Sequence, residues 1–141
     1  MMDRALYYLA LARKAGFAEL GEEPVGAAAR AGHARLIVVA SDASDHTWRR
    51  AKSFVAGTQQ QLIRWPYSKD ETGMAIGRTS LAVAAITDAG IAKSLVEALG
   101  DNRYQAVMAV LEEKAAQLKL RQKEAKAHQR NKRQGKHKPS K

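Results

Sequence analysis

The side chains able to do covalent chemistry are few and badly spaced for it. The chain has no cysteine, which removes thiol nucleophiles, iron–sulfur ligation, disulfides and zinc ribbons together. Its 4 histidines, His33, His46, His128 and His137, show no metal-ligand spacing, so neither a metal nor a cofactor is expected. Asp42, Ser44, Asp45 and His46 contain the residue types of a hydrolytic triad. Asp42, Ser44 and Asp45 read more simply as a turn plus a helix cap, and no nucleophile elbow or glycine-rich phosphate loop accompanies them. What remains is cationic. Arg49, Arg50 and Lys52 cluster beside Trp48, either as a solvated helix face or as a surface on which a base stacks. Arg13 and Lys14 close a helix, where they either stabilise its dipole or meet phosphate; Arg35 either meets phosphate or flanks a strand. A protein that is not an enzyme, with no small-molecule substrate, is the expectation.

The net charge of +10 over 141 residues is unevenly placed. Met1 to Glu113 holds 13 Lys+Arg and 13 Asp+Glu, whereas Lys114 to Lys141 holds 11 Lys+Arg against Glu124 alone. A neutral folded part with a polycationic end suits a phosphate backbone, because each neutralised phosphate releases counterions. Lys119, Arg121, Lys123, Lys126, Arg130, Lys132 and Arg133 are the contacts expected from that end; a solubilising tail is the bland alternative. The tail has no Trp, Phe or Ile for an apolar face and no lipidation signal, which argues against a membrane surface. The longest apolar stretch, Leu81 to Ile86, is too short to cross a bilayer, and the N-terminus does not read as a signal peptide. A cytoplasmic location is expected.

These cations need elements to position them, and hydrophobic residues at 45% suffice for a core. Asp3 is placed to cap a helix ending at Gly16, followed by a short extended segment, Phe17 to Leu20. Pro24 suits the first turn of a helix running to Gly32, and Leu36 to Ala40 is a β-branched run that predicts a strand covered on both faces. Thr47 to Ala56 predicts a helix, Gln61 to Trp65 a strand, and Ser68 with Glu71 a capping box opening a helix to Ile76. Leu81 to Ile86 predicts a buried strand, and Thr87 or Asp88 caps a helix to Leu99. The alternation predicts an α/β fold, a three-layer α-β-α sandwich with a small mixed four-stranded sheet.

Residues 1–100 are read as that domain. Residues 101–126 are read as an amphipathic helix whose stripe of Tyr104, Val107, Met108, Leu111 and Leu118 docks on the domain or on a protein partner. Residues 127–141, without apolar side chains after Ala127, are read as a disordered basic tail.

An ordered set of segments carries a resemblance. Leu11-Ala12-Arg13-Lys14-Ala15-Gly16, Gly21-Glu22-Glu23, and Gly32 through Ser44 are followed by Gly73-Met74-Ala75-Ile76-Gly77 and Val83 through Lys93. Together they resemble the kink-turn-binding ribosomal proteins of the L-seven-Ae and L-thirty-e type, and most closely their small bacterial YlxQ-like members. The likeness implies an RNA-binding domain of ribonucleoprotein particles, with structured RNA, ribosomal RNA foremost, as the partner. It implies an RNA surface on Gly21 to Ala27, Ala40 to Ser44 and Arg78 to Ala82, which places Gly21, Glu22, Glu23, Asp42, Ser44, Arg78 and Leu81 at the interface. A glycine before a helix N-terminus lets backbone N–H groups approach phosphates and base edges, and Leu81 is placed to support an unstacked base.

The kink-turn binders carry an Asn-Glu pair with a Lys three residues after the Glu. The aligned positions here read Glu23, Pro24 and Ala27, while the Glu22–Glu23 pair matches the YlxQ-like pattern. An ionised Glu23 accepts hydrogen bonds and donates none, and Ala27 brings no cation to a phosphate.

Overall fold

The computed structural model describes the backbone of residues 2–136 and the side chains of residues 2–130. In chain order the elements are α1 (Arg4–Lys14), β1 (Ala18–Leu20), α2 (Glu22–Arg30), β2 (Leu36–Val39), α3 (Asp45–Val55), β3 (Gln61–Arg64), α4 (Lys69–Ala75), β4 (Val83–Ile86) and α5 (Ala89–Leu99). A 3-10 turn, Asn102–Tyr104, leads into α6 (Gln105–Lys136). The strands lie in the order β1-β4-β2-β3: β2 and β3 are parallel, and β4 is antiparallel to both β1 and β2. This is the expected three-layer α-β-α sandwich with a mixed four-stranded sheet.

Side chains on a strand alternate between faces, and the two central strands use this to serve two cores. Leu36 and Val38 of β2 with Ala84 and Ile86 of β4 face Leu9 of α1, Ile76 after α4, Leu95 of α5 and Leu111 of α6. Ile37 and Val39 with Val83 and Ala85 face Val25 and Ala29 of α2 and Ala51 of α3. Both central strands are buried throughout, as unalternated apolar runs require.

Local signals set the helix ends. Ser68 and Glu71 make the reciprocal capping box of α4, Ser44 accepts from the Thr47 N–H at 3.1 Å to cap α3, and Asp88 accepts from the Ile91 N–H at 2.9 Å to cap α5. Asp3 differs from its expected role. It sits at the N-cap of α1 but makes no cap hydrogen bond; its carboxylate accepts instead from the Tyr67 hydroxyl at 3.1 Å. Trp65 is wholly buried, donates from Nε1 to Thr72 Oγ1 at 3.2 Å and meets Tyr67 edge-on. At Gly73 of α4 an added Cβ would lie 2.6 Å from the Ser80 backbone nitrogen, so only glycine lets the loop before β4 lie against the helix.

The C-terminal stripe belongs to this domain. Tyr104, Leu111 and Ala115 are buried, α6 packs on α5, and the Tyr104 hydroxyl donates to the Arg64 carbonyl at 3.1 Å. Less of the Tyr104, Val107, Met108, Leu111 and Leu118 stripe is therefore open to a protein partner: Tyr104 and Leu111 are buried within the chain, while Val107, Met108 and Leu118 are half-buried. The helix also continues beyond Lys126, where the sequence reading ends it, to Lys136. Ala, Lys, Gln, Arg and Glu are strong helix formers, and no proline interrupts them before Pro139. The tail expected to be disordered from residue 127 is therefore helical through Lys136, and the rest of that expectation lies outside the described residues.

Two outcomes follow for stability. Leu111→Ala costs about 2–5 kcal/mol in urea unfolding, whereas Leu120→Ala, at an exposed position, changes it by less than about 0.5 kcal/mol; equal effects would place the stripe off the core. Tyr67 titrates at about 12 in the fold rather than its ordinary 10.0, because of burial first and the Asp3 hydrogen bond and charge next. The folded state thus holds this proton more tightly than the unfolded chain. Its contribution is whole below pH 10 and is lost as the pH rises toward about 12. Comparing alkaline unfolding of Tyr67→Phe with the parent checks this, and the difference should shrink across that window.

Candidate nucleic-acid interface

Strand direction gathers the loops. With β4 antiparallel to β1 and β2, and β3 parallel to β2, the segments after β1, β2 and β3 leave the sheet at the end where the chain enters β4. Hydrogen bonds then stitch them into one surface. The Gly21 N–H donates to the Val83 carbonyl at 3.0 Å, Ala40 to Ala82 at 2.9 Å, Ser41 to Tyr67 at 2.8 Å and Leu81 to Lys69 at 3.0 Å. The Asp42 carboxylate accepts from the Lys69 N–H at 2.8 Å. Gly21 to Glu23, Asp42 to Ser44 and Arg78 to Ala82 therefore meet, as the resemblance implies.

Gly21 has φ +94, a conformation that side chains rarely adopt, and it opens α2 without a capping side chain. Glu22 and Glu23 occupy the first turn, where carboxylates favour the positive end of the helix dipole. Glu22 also reaches Arg50 of α3 at 3.8 Å, joining this turn to the α3 cluster. Asp42 and Ser44 are exposed; Asp42 accepts one hydrogen bond that holds the loop, and Ser44 Oγ caps α3 by accepting from the Thr47 N–H while donating to Thr47 Oγ1 at 3.1 Å. That is the turn-plus-cap arrangement, with His46 exposed beside it. Among the described residues no three His, Asp or Glu side chains come together as a metal site.

Leu81 is the correction at this end. It is buried at 5% exposure, in the core with Ile76, because its N–H is tied back to α4 and its side chain points inward. It offers no shelf to a base. The exposed apolar residue here is Met74 of α4, at 75% exposure, which sequence reading passed over. Its signal was available: Thr72, Gly73 and Ile76 form the buried side of that turn, which leaves Met74 outward.

On α3, Trp48 already has a partner. The Arg64 guanidinium lies over its ring at 4.8 Å, so one face is taken, and Arg50 lies 5.6 Å from the Phe54 ring. Nε of Arg50, and Nε and one terminal nitrogen of Arg64, are buried with no hydrogen-bond partner among the described residues. These donors lack an acceptor, and burial makes that lack expensive. Arg49 is exposed. Arg64, which comes from β3, was missed because nothing in the linear order brings it to Trp48.

Of the remaining cations, Arg13 and Lys14, in the last turn of α1, line a depression of about 500 Å³ with Ala75 and Gly77, none of whose lining residues belongs to the three loops. Arg35 sits at the start of β2, at the opposite end, beside Phe17, Thr87, Lys114 and Arg121. Lys119, Lys123, Lys126 and Arg130 recur at three- and four-residue steps along the exposed part of α6. Lys132 and Arg133 lie on the same helix beyond the described side chains.

No protein-family model matches the chain, and no curated protein does. Solved structures do. A protein of unknown function from Bacillus halodurans C is 27% identical, with a TM-score of 0.65 over 70% of this chain and 99% of that one. The 15.5kD RNA binding protein of Giardia lamblia is 18% identical, with a TM-score of 0.54 over 74% of this chain and 87% of its own. The chain shares the fold of both.

Proposed function

We propose that this is a non-catalytic RNA-binding protein of the cytoplasmic translation apparatus, holding structured RNA, ribosomal RNA foremost, at the three-loop end of its sheet. The observation that carries the reading is the convergence of three hydrogen-bonded loops on the uncapped, glycine-opened start of α2, with Arg49 and Arg78 exposed on the elements that meet there. Rigid backbone donors with cations at the margin recognise a shaped phosphate backbone, and they need no reordering to do so. The shared fold of a Giardia protein described as RNA-binding supports the same reading, as does the resemblance to the L-seven-Ae and L-thirty-e proteins. The alternative, a protein-interaction adaptor using the sandwich and the C-terminal helix with the tail as solubiliser, has less support, since Tyr104 and Leu111 of the helix stripe are buried within the chain.

Glu23, Pro24 and Ala27 are all exposed, and Ala27 brings no cation of its own to the place of the kink-turn binders' lysine, although Arg35 borders the same depression as Ala27. Losing a charged phosphate contact and a donor–acceptor side chain costs on the order of 1–3 kcal/mol each. The protein should therefore favour a standard kink-turn over a plain duplex by no more than about tenfold at one fixed salt concentration. The Arg49→Ala, Arg78→Ala double variant should weaken both. Nanomolar, kink-selective binding that survives the double change would mean that α2 reads kink-turns through its backbone alone.

The basic helix supplies a separate quantity. Truncation after Leu118 keeps every buried residue of α6 and removes its outer cations. If about five phosphates are engaged there, the slope of log K against log salt should fall by about 4. An unchanged slope in titrations of the truncated protein would assign the affinity to the loops.

A further inference from the structure

We propose that the opposite end of the sheet carries a second RNA site, a groove centred on Arg35 that takes a single-stranded segment while the three-loop end holds the structured part. This rests on the RNA-binding reading above and goes beyond it.

Arg35 is held by the backbone on both sides. Its N–H donates to the Ile86 carbonyl at 2.9 Å, and its carbonyl accepts from the Gln61 N–H at 3.3 Å. The residue before it is fixed by a buried amide: Gln60 Oε1 accepts from the Ala34 N–H at 3.0 Å, while Gln60 Nε2 donates to the Ala29 carbonyl at 3.1 Å. The guanidinium therefore leaves a rigid base. Depressions of about 510, 360 and 200 Å³ all border Arg35. Phe17 and Thr87 are common to the first and third, and Lys114 to the second and third, so the three adjoin around Arg35 between α2, the sheet end and α6, the first reaching along α2 to Ala27 and Pro24.

The charge on the groove walls is positive. Arg30, Arg35, Lys114 and Arg121 line it, opposed by Glu19 and Asp88. The Asp88 carboxylate is already engaged in capping α5. Among the described residues the ion pairs are Arg50–Glu22 and Arg103–Asp101, so none of the four groove cations is paired. Unpaired cations on concave walls concentrate positive potential and hence phosphate. In the same concavity stands Phe17, an aromatic ring at 42% exposure. Cations that follow a backbone, together with an aromatic face for a base, are what single-stranded nucleic acid requires, and a small anion has no use for the ring. A strand leaving the groove along α6 meets Lys119 and then Lys123, one turn further on.

The test uses the full chain, a uridine oligomer and a plain RNA duplex. Lys114→Gln with Arg121→Gln leaves Arg35 and β2 untouched; it should lower the salt slope for the oligomer by about 1.4, and adding Arg35→Gln should bring the total to about 2, at −0.7 per contact. Phe17→Leu should weaken oligomer binding several-fold with the slope unchanged, which separates stacking from charge. Arg4→Gln with Lys93→Gln, which line neither surface, should leave affinity within about twofold. Wild-type slope and affinity in the Lys114/Arg121 variant would overturn the groove while leaving the three-loop reading standing. Equal loss of duplex and oligomer binding would show one merged surface and overturn it as well. Failure of the parent protein to bind either RNA would overturn both readings.

Discussion

Strand β4 constrains the rest of the molecule. It is buried on both faces and antiparallel to both neighbours, so every hydrogen bond it makes also fixes which loops share an end of the sheet. Were β4 parallel to β2, the segment containing Arg78 would enter at the Arg35 end, away from Gly21 and Asp42. The antiparallel ladder Val39↔Val83 and Leu20↔Ala84 therefore does more than contribute to the core; it assembles the candidate interface.

Rigidity at that interface comes from polar groups spent inside the protein. The Asp42–Lys69 and Leu81–Lys69 hydrogen bonds, the Ser68–Glu71 capping box and the backbone contact of Gly73 with Ser80 lock the loops to α4. Behind them, the buried Trp65 with its Thr72 hydrogen bond keeps α4 against the sheet. The entropy of ordering the loops is thus met on folding rather than on binding, the usual source of preorganised affinity. The Arg64–Trp48 stack is the contrary case: guanidinium donors are held in place and left without acceptors.

What could be read from the sequence follows from the range over which each signal acts. The two central strands were legible because unalternated β-branched and apolar runs leave few alternatives, and the caps at Ser44, Ser68 and Asp88 were legible because capping chemistry spans only three residues. Loop convergence came from the resemblance rather than from periodicity. The failures are long-range or orientational. Asp3 meets Tyr67 across 64 positions, and Arg64 reaches Trp48 from another element; neither pairing leaves a local trace. Leu81 is buried, as the apolar run through Ile86 predicts, and not open to a base, as the resemblance implies, because a single apolar residue at a loop–strand junction has no period to say which holds. Helix α6 runs past Lys126, the end of its expected range, to Lys136 because helix propensity does not depend on burial, so the run without apolar side chains after Ala127 leaves no periodic trace of it.

The exposed part of α6 has one more property. From Lys119 to Arg130 every residue is exposed, Arg121 alone bordering the Arg35 groove, so local energies dominate there. Lys119 and Lys123, like Lys126 and Arg130, stand one turn apart with the same sign, and each such pair opposes the helix by a few tenths of a kcal/mol. Helicity there is consequently a function of ionic strength, rising as the repulsion is screened. A polyanion laid along the stripe cancels the same repulsion, so part of any affinity it gains is relief of strain between the chain's own charges.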